Sequence, residues 1–445
     1  MWRRIEQDLL AWKGSKKQLP IILRGARQVG KSYTIEKFGK ESFSNIVVAN
    51  FEFNSRLSSA FNTLDPVEIV GKLEAFTKST IRPQETLLFL DEIQLCPQAI
   101  LALRYFKEKM PDLHVIAAGF LLELVLNAKE LDFSFPVGRI QFMYLKPLSF
   151  QEFLVNLGEE KLIEFLKKST LKNPLDPVFH ERLIELIRQY LLVGGMPFVV
   201  DNFIEKKSYV EARQLQNSVL QTYYTDFGKY AKKTIHKHLQ ELFDKIPLLA
   251  GQQFKYASVI PDIRAREIKV ALEQLKWMGI IHKVFSNNAS GIPLKSQKKE
   301  DKFKINFLDV GLLQCANGLD YETVLNDNIL QINSGAVAEQ FVGQELLAYS
   351  DFYEQQELYF WEREKRTSTA EVDYVVQCGR HIIPIKVKAG KTGRLRSLQQ
   401  FMEEKKSPFG VRISQNPLSF EHNILSIPLY MISELSRLVG EILSK

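Results

Sequence analysis

No stretch of this sequence leaves the fold less choice than Gly25-Ala26-Arg27-Gln28-Val29-Gly30-Lys31-Ser32, set behind the apolar run Leu19-Pro20-Ile21-Ile22-Leu23. The spacing G-x-x-x-x-G-K-S is that of a loop whose glycines let the backbone curl until successive N–H groups point at one anion. A buried strand must precede such a loop and a helix must follow it, because the positive end of that helix completes the anion site. Lys31 would then reach the outer phosphates of a nucleotide, and the Ser32 hydroxyl would sit on Mg²⁺. The whole stretch from Gly25 to Ser32 is therefore expected to bind ATP.

The residues that follow supply the sheet this loop requires. Pro20–Arg24, Asn45–Phe53, Thr86–Leu90, His114–Ala118 and Gln141–Leu145 read as five short strands, with helical patterns between most of them. That alternation predicts a doubly wound parallel sheet. The third strand runs into Asp91-Glu92, at the sheet edge where α/β proteins bind ligands. Asp91 is expected to hold Mg²⁺ through its water shell, and Glu92 to orient or deprotonate the attacking water.

Composition sets limits on the rest. A chain of 445 residues exceeds one ordinary core, so several domains are expected. It is 45% apolar and 25% charged, as soluble globular proteins are. The net charge of +7 permits a nucleic-acid partner without requiring one. The seven histidines show no metal-ligand spacing, and Cys96, Cys315 and Cys378 form no CxxC pair. A cytoplasmic protein is expected, without a signal peptide, since acids interrupt the N-terminus early, and without a membrane span.

With these residues in place, the chain resembles an AAA+ ATPase of the bacterial and archaeal family that carries a C-terminal domain of unknown function. The matching stretches are Gly25–Ser32, Leu87–Glu92, Phe135-Pro136-Val137-Gly138-Arg139, Pro147–Leu154 and Val193-Gly194-Gly195-Met196-Pro197. The resemblance implies an arginine finger at Arg139, reaching a neighbouring subunit's γ-phosphate in a homo-oligomer; a structural ion pair at the start of a strand is the alternative. It also implies a polar residue at the end of the fourth strand, where this chain has Ala117-Ala118-Gly119-Phe120. A phenyl ring can neither donate nor accept that hydrogen bond, so hydrolysis is expected to be slow.

Four domains are expected: an AAA+ nucleotide-binding domain over 1–155, a helical lid over 156–232, a winged-helix-like segment over 233–300 and a nuclease-like α/β domain over 301–445. Gly194-Gly195-Met196-Pro197 resembles the turn that some AAA+ lids set beside the base and ribose; a helix stop followed by a helix start reads the same way. Helix Arg264–Met278 buries one face and leaves Arg264, Lys269 and Lys276 away from it, as a DNA-reading helix would. The run Lys295–Lys304 carries five lysines against two acids and could lie on phosphates as a wing or loop.

Beyond it the order helix, three strands, helix, strand resembles the PD-(D/E)xK nucleases. The resemblance implies metal acids at Asp373 and, on the preceding helix, Glu339. The third strand, however, reads Lys386-Val387-Lys388 where such nucleases carry acid-x-Lys. An ammonium at Lys386 repels a divalent ion and can pair with Asp373 instead, so nuclease activity is not expected. The expected function is an ATPase or ATP-driven switch. A non-hydrolysing DNA-binding or regulatory module and an ATP-dependent nuclease stand as the alternatives.

Overall fold

The computed structural model describes residues 1–120, 138–230, 233–261, 263–318, 334–364, 370–390 and 395–444. Phe135-Pro136-Val137 of the stretch quoted above lies outside the described residues. The chain divides into two compact units. One comprises Trp2–Lys146 with Asp351–Gln355, the other Pro147–Ser350 with Gln356–Lys445 and Met1.

The first unit is built on a parallel sheet of β1 (Ile21–Arg24), β2 (Asn45–Asn50), β3 (Thr86–Asp91), β4 (His114–Ala118) and β5 (Gln141–Tyr144), in the order β2-β3-β4-β1-β5. Every residue of β3 and β4 is buried, which is why these strands read as unbroken apolar runs and not as alternating ones. Helices α1 (Ile5–Lys13), α2 (Lys31–Ser42), α3 (Pro66–Thr77) and α4 (Pro97–Lys109) accompany the sheet. Ile22, Leu88, Leu90, Val115 and Ala117 share one core with Ile69, Leu73, Leu103 and Phe106 of α3 and α4. β1 lies between β4 and β5, so the chain leaves it at a point where the strand order reverses, the place where open α/β sheets take ligands.

The second unit begins with helices α5 (Phe150–Asn156), α6 (Glu160–Lys168), α7 (Pro177–Val193), α8 (Pro197–Lys206) and α9 (Tyr209–Tyr230). Ser149 opens α5 with a full capping box, its hydroxyl taking the Glu152 N–H while the Glu152 carboxylate takes its own N–H. The aromatic residues in the second half of α9 are core: Tyr223 and Phe227 are buried and pack on Phe243. Next come α10 (Lys233–Lys245), a one-turn helix at Tyr256–Val259, α11 (Ala265–Trp277) and an antiparallel hairpin of β6 (Ile281–Asn287) and β7 (Lys298–Phe307).

After α12 (Val310–Ala316), α13 (Ser334–Ala348) leads into β8 (Leu358–Glu362), β9 (Glu371–Val372), β10 (Tyr374–Cys378) and β11 (His381–Val387). Helix α14 (Arg396–Lys405), β12 (Gly410–Ser414), β13 (Ser419–Glu421) and β14 (Ile424–Pro428) follow, and α15 (Leu435–Leu443) ends the unit. Two sheets result, β7-β6-β8-β9 and β10-β11-β12-β14-β13. The second of the three strands expected after the helix is broken at Asp373 into β9 and β10, and the Asp373 side chain turns to the next strand.

Two of the stretches picked out in the sequence, Pro147–Leu154 and Val193–Pro197, meet Asp309 in the interior of this unit. Asp309 is fully buried and caps α12 by accepting from the Leu312 N–H at 2.9 Å. Its other oxygen accepts from the Gly195 N–H at 2.6 Å and from Gln344 at 3.3 Å. Leu148, in turn, donates to the Gly195 carbonyl and accepts from the Tyr190 hydroxyl. A Cβ on Gly194 would lie 2.1 Å from Asp309 Oδ1, at a backbone φ of +76°. Packing against Asp309 therefore accounts for Gly194.

Candidate nucleotide site and a lysine-filled acidic cluster

The loop between β1 and α2 has the backbone its glycines foretell. Gly25 and Gly30 take φ of +156° and +90°, and a Cβ on Gly25 would lie 2.3 Å from the Leu145 carbonyl oxygen. Gln28 also adopts the left-handed region, at φ +64°. Ala26 and Val29 are buried, and the loop is braced from outside its own motif. The buried Arg3 guanidinium donates to the Val29 carbonyl at 2.9 Å and to the Lys146 carbonyl at 2.6 Å. A lone arginine at the start of a chain gives no warning of that role.

Lys31 begins α2 and points back along the loop, donating to the Gly25 and Ala26 carbonyls at 3.0 and 2.9 Å. Burial lowers its ammonium to about 8, while the charges of Glu92 and then Asp91 work to raise it. The next side chain, Ser32, donates to both oxygens of Asp91 at 3.1 and 3.0 Å. Asn50, at the end of β2, donates to Asp91 Oδ2 at 2.9 Å. Burial, with Glu92 alongside, raises the Asp91 carboxyl against these bonds. Sequence reading named Lys31, Ser32 and Asp91 and missed Asn50, whose position facing Asp91 follows only from the strand register.

Glu92 sits at φ +53° and ψ +44°, an uncommon conformation for a residue with a side chain. Its carboxylate accepts from the Gln94 amide at 2.5 Å. The Phe120 ring is buried, and its backbone N–H donates to the same Gln94 at 3.2 Å. Arg139 lies between β4 and β5, half exposed, with Nε 3.1 Å from Glu108 Oε1 on α4. The partner that a structural arginine needs is thus present on its own chain. The donor set suits the expected ligands: the Ser32 hydroxyl and Asp91 carboxylate offer hard oxygens, and Lys31 a cation held only by neutral carbonyls.

The basic features of the second unit sort differently. Arg264 and Lys269 are exposed at α11 together with Arg266, whereas Lys276 lies 3.7 Å from Glu273. The lysine run lies mostly in β7, in ion pairs. Lys298 binds Glu357 at 2.7 Å, Lys302 binds Glu362 at 2.6 Å and Lys299 binds Glu364, which leaves Lys295 exposed beside them. Four of the five lysines are thus taken up by acids remote in sequence, which the local run could not reveal.

The fourth, Lys304, is buried and donates to Glu339 at 2.8 Å and Glu371 at 2.7 Å. Beside it Lys386 donates to Asp373 Oδ1 at 2.6 Å, and the Val387 N–H donates to Asp373 Oδ2 at 2.7 Å. The Lys386–Asp373 pair is the one the sequence led us to expect; Lys304 is an addition. Burial works to lower the Lys304 ammonium, but Glu339 and Glu371 outweigh it and hold it well above its ordinary range. Burial and Asp373 push the Glu339 carboxyl up. Among the described residues no group of three or more histidines, cysteines and acids is placed to hold a metal.

Comparison with known proteins agrees with the first unit. Residues 17–154 match the family model of an AAA domain, and the fold is mixed α/β. Residues 184–323 and 334–431 match two domains of unknown function, DUF8612 and DUF4143. A search of curated proteins found no match. Among solved structures, the ORC1 protein of Aeropyrum pernix in complex with DNA is 12% identical, with 73% of this chain and 92% of that chain covered at a TM-score of 0.29. The ORC2 protein of the same organism, in ADPNP–ADP complexes, is 12% identical over 73% and 93% at a TM-score of 0.30. No function is carried over from likenesses this loose. No helix among the described residues is long and apolar enough to cross a membrane.

Proposed function

We propose that this chain is a Mg²⁺-dependent ATPase of AAA+ type that acts as a nucleotide-driven switch, with a nuclease-shaped C-terminal segment that does not cut. The observation carrying this reading is the Ser32 hydroxyl 3.0 Å from the Asp91 carboxylate, beside a lysine buried in a glycine-framed loop. The N–H groups of Gly25–Ser32 would cradle the phosphates, and Ser32 and Asp91 would hold Mg²⁺. The bound ion supplies charge neutralisation across the outer phosphates. Lys31 exchanges its carbonyl partners for phosphate oxygens and so gives up bonds to neutral groups for bonds to an anion. Glu92 takes the proton of the attacking water.

Arg139, half exposed at the unit's surface, is our candidate for a group acting on a neighbouring subunit's nucleotide, with Glu108 as its resting partner. Arg264, Arg266 and Lys269 form the basic face we propose for duplex DNA, with α10, α11 and the β6–β7 hairpin as a winged helix. Domain limits near 155, 232 and 300 follow from the same reading. The pairing of Lys304 and Lys386 with Glu339, Glu371 and Asp373 supports the absence of nuclease chemistry, since two ammonium groups occupy the acids a metal would need.

ATP turnover measured across protein concentrations, with and without duplex DNA, tests the reading. Wild type should hydrolyse ATP, Glu92→Gln should bind ATP with turnover cut to a small residual rate, and Arg139→Ala should abolish any rise in specific activity with concentration. A second reading, a non-hydrolysing module, draws on the apolar Phe120 ring. It predicts that wild type and Glu92→Gln are indistinguishable.

A further inference from the structure

Among the described residues the end of β4 offers no polar side chain to the nucleotide site, yet a polar side chain arrives there from another element. Gln94 lies three residues beyond Asp91, in the short helical turn Ile93–Leu95, and is buried. Its Nε2 donates to Glu92 Oε2 at 2.5 Å and its Oε1 accepts from the Phe120 N–H at 3.2 Å. One amide therefore joins the carboxylate to the backbone N–H of Phe120, two residues beyond β4, with a donor to the acid and an acceptor to the amide. Position 119 is glycine for a matching reason: a Cβ there would lie 2.5 Å from Gln94 Oε1 and displace it.

The carboxylate so held lies within electrostatic reach of Lys31 in the phosphate loop. Its charge acts on the Lys31 ammonium more strongly than that of Asp91 does, once burial is set aside. Glu92 itself needs such a tie, because its left-handed backbone leaves the side chain no help from a regular helix or strand.

We infer that Gln94 is a positioning residue for ATP hydrolysis, its amide fixing the Glu92 carboxylate against the C-terminal end of β4 and supplying the polar link that Phe120 cannot. The inference rests on the ATPase reading above. Gln94 touches neither phosphate nor water in this scheme; it acts through Glu92. Asn50, the other amide of the site, is bound to Asp91 and leaves Glu92 to Gln94.

The test is steady-state ATP turnover of the full-length chain, with nucleotide affinity measured separately using a fluorescent ATP analogue. Gln94→Met keeps length and burial but removes both hydrogen bonds, and should lower kcat by about 10- to 100-fold, the range expected when a reacting group is misplaced by about 1 Å. KM and analogue affinity should stay within about twofold of wild type. Gly119→Ala should reproduce the loss without touching Gln94 chemically. Gln94→Asn, one methylene too short to reach both partners, should fall between.

A double variant supplies the readout that a purely structural residue would not give. If Gln94 works through Glu92, Gln94→Met in a Glu92→Gln background should cost nothing further, and the two losses should not multiply. Full turnover by Gln94→Met beside the residual rate of Glu92→Gln overturns the inference and leaves the ATPase reading intact. Multiplying losses overturn it as well. Wild-type turnover by Glu92→Gln removes the base itself, and both readings then fall together. Should Gln94→Met not fold, Gly119→Ala and Gln94→Asn decide the matter on the same criteria.

Discussion

Replacing Lys304 by Met gives a severe test of how the acidic cluster of the second unit is neutralised. The ammonium has 3% of its side chain exposed and bridges Glu339 at 2.8 Å and Glu371 at 2.7 Å, while Asp373 is already paired to Lys386. Methionine has nearly the same length and volume, so little cavity cost is added, and the effect measured is the loss of the shared charge. Removing one partner of a buried ion pair costs about 3–5 kcal/mol, because the other is left uncompensated. For a unit this large each kcal/mol moves the melting midpoint by about 2–4 °C, so Tm should fall by about 6–20 °C. Thermal unfolding followed by circular dichroism measures it. Adding Glu339→Gln to Lys304→Met should restore more than half of the loss, since the more deeply buried of the two stranded carboxylates is then neutral. A divalent ion should do the same from outside: Mn²⁺ at ten times its dissociation constant would return about 1.4 kcal/mol to the variant. Wild type should not respond to Mn²⁺. A wild-type Tm raised by Mn²⁺, or a loss below about 1 kcal/mol in the variant, would mean that Lys304 does not neutralise the cluster.

Other expected outcomes can be checked on the same protein. Because burial holds Lys31 near 8, ATP affinity should fall as pH rises above 8, by up to about tenfold per unit, and Lys31→Arg should flatten that slope; titration of a fluorescent ATP analogue from pH 7 to 9.5 measures it. Glu345 accepts from the Phe150 N–H with both oxygens at 3.0 and 3.1 Å, and burial raises its carboxyl from 4.5 to about 8. The folded state therefore holds a proton that the unfolded chain loses, and this contribution, about 4–5 kcal/mol at low pH, should fade as pH rises from 4.5 through 8. Melting curves of wild type minus Glu345→Gln across pH 5–9 should show that slope. Gly194→Ala, with its Cβ 2.1 Å from Asp309 and φ at +76°, should cost about 3 kcal/mol or more in a urea melt.

How far the sequence carried the structure differs between the two units for a physical reason. The five strands of the first unit were legible because a parallel sheet buried on both faces leaves unbroken apolar runs between helices. The phosphate loop was legible because left-handed backbone at Gly25 and Gly30 must be written in glycine. What escaped notice depends on partners distant in the chain. Arg3 braces Val29 from 26 residues away, and Gln94 meets Phe120 across the same separation. The lysine run is the sharpest case. Lys295–Lys304 is basic by local count, but Glu357, Glu362, Glu364, Glu339 and Glu371 reach it through strand pairing and helix packing. Gly194 and Gly195 show the converse, a motif whose spacing fits a nucleotide-facing turn but whose crowding against Asp309 and Leu148 already explains it.

Two buried lysines decide which constellation in this chain is chemically open. Lys31 is held by two backbone carbonyls, which carry no net charge, and burial depresses its ammonium; an arriving polyanion improves its situation at once. Lys304 is held by two carboxylates, which raise it; a phosphate would have to displace acids that already satisfy it. The same side chain is therefore a poised ligand in one unit and a fixed counter-ion in the other. Residue type alone ranks the two sites equally, since each offers lysine beside paired acids. The identity of the lysine's present partners separates them, and it is the ground on which we propose nucleotide chemistry at Gly25–Ser32 and none with a metal at Glu339, Glu371 and Asp373.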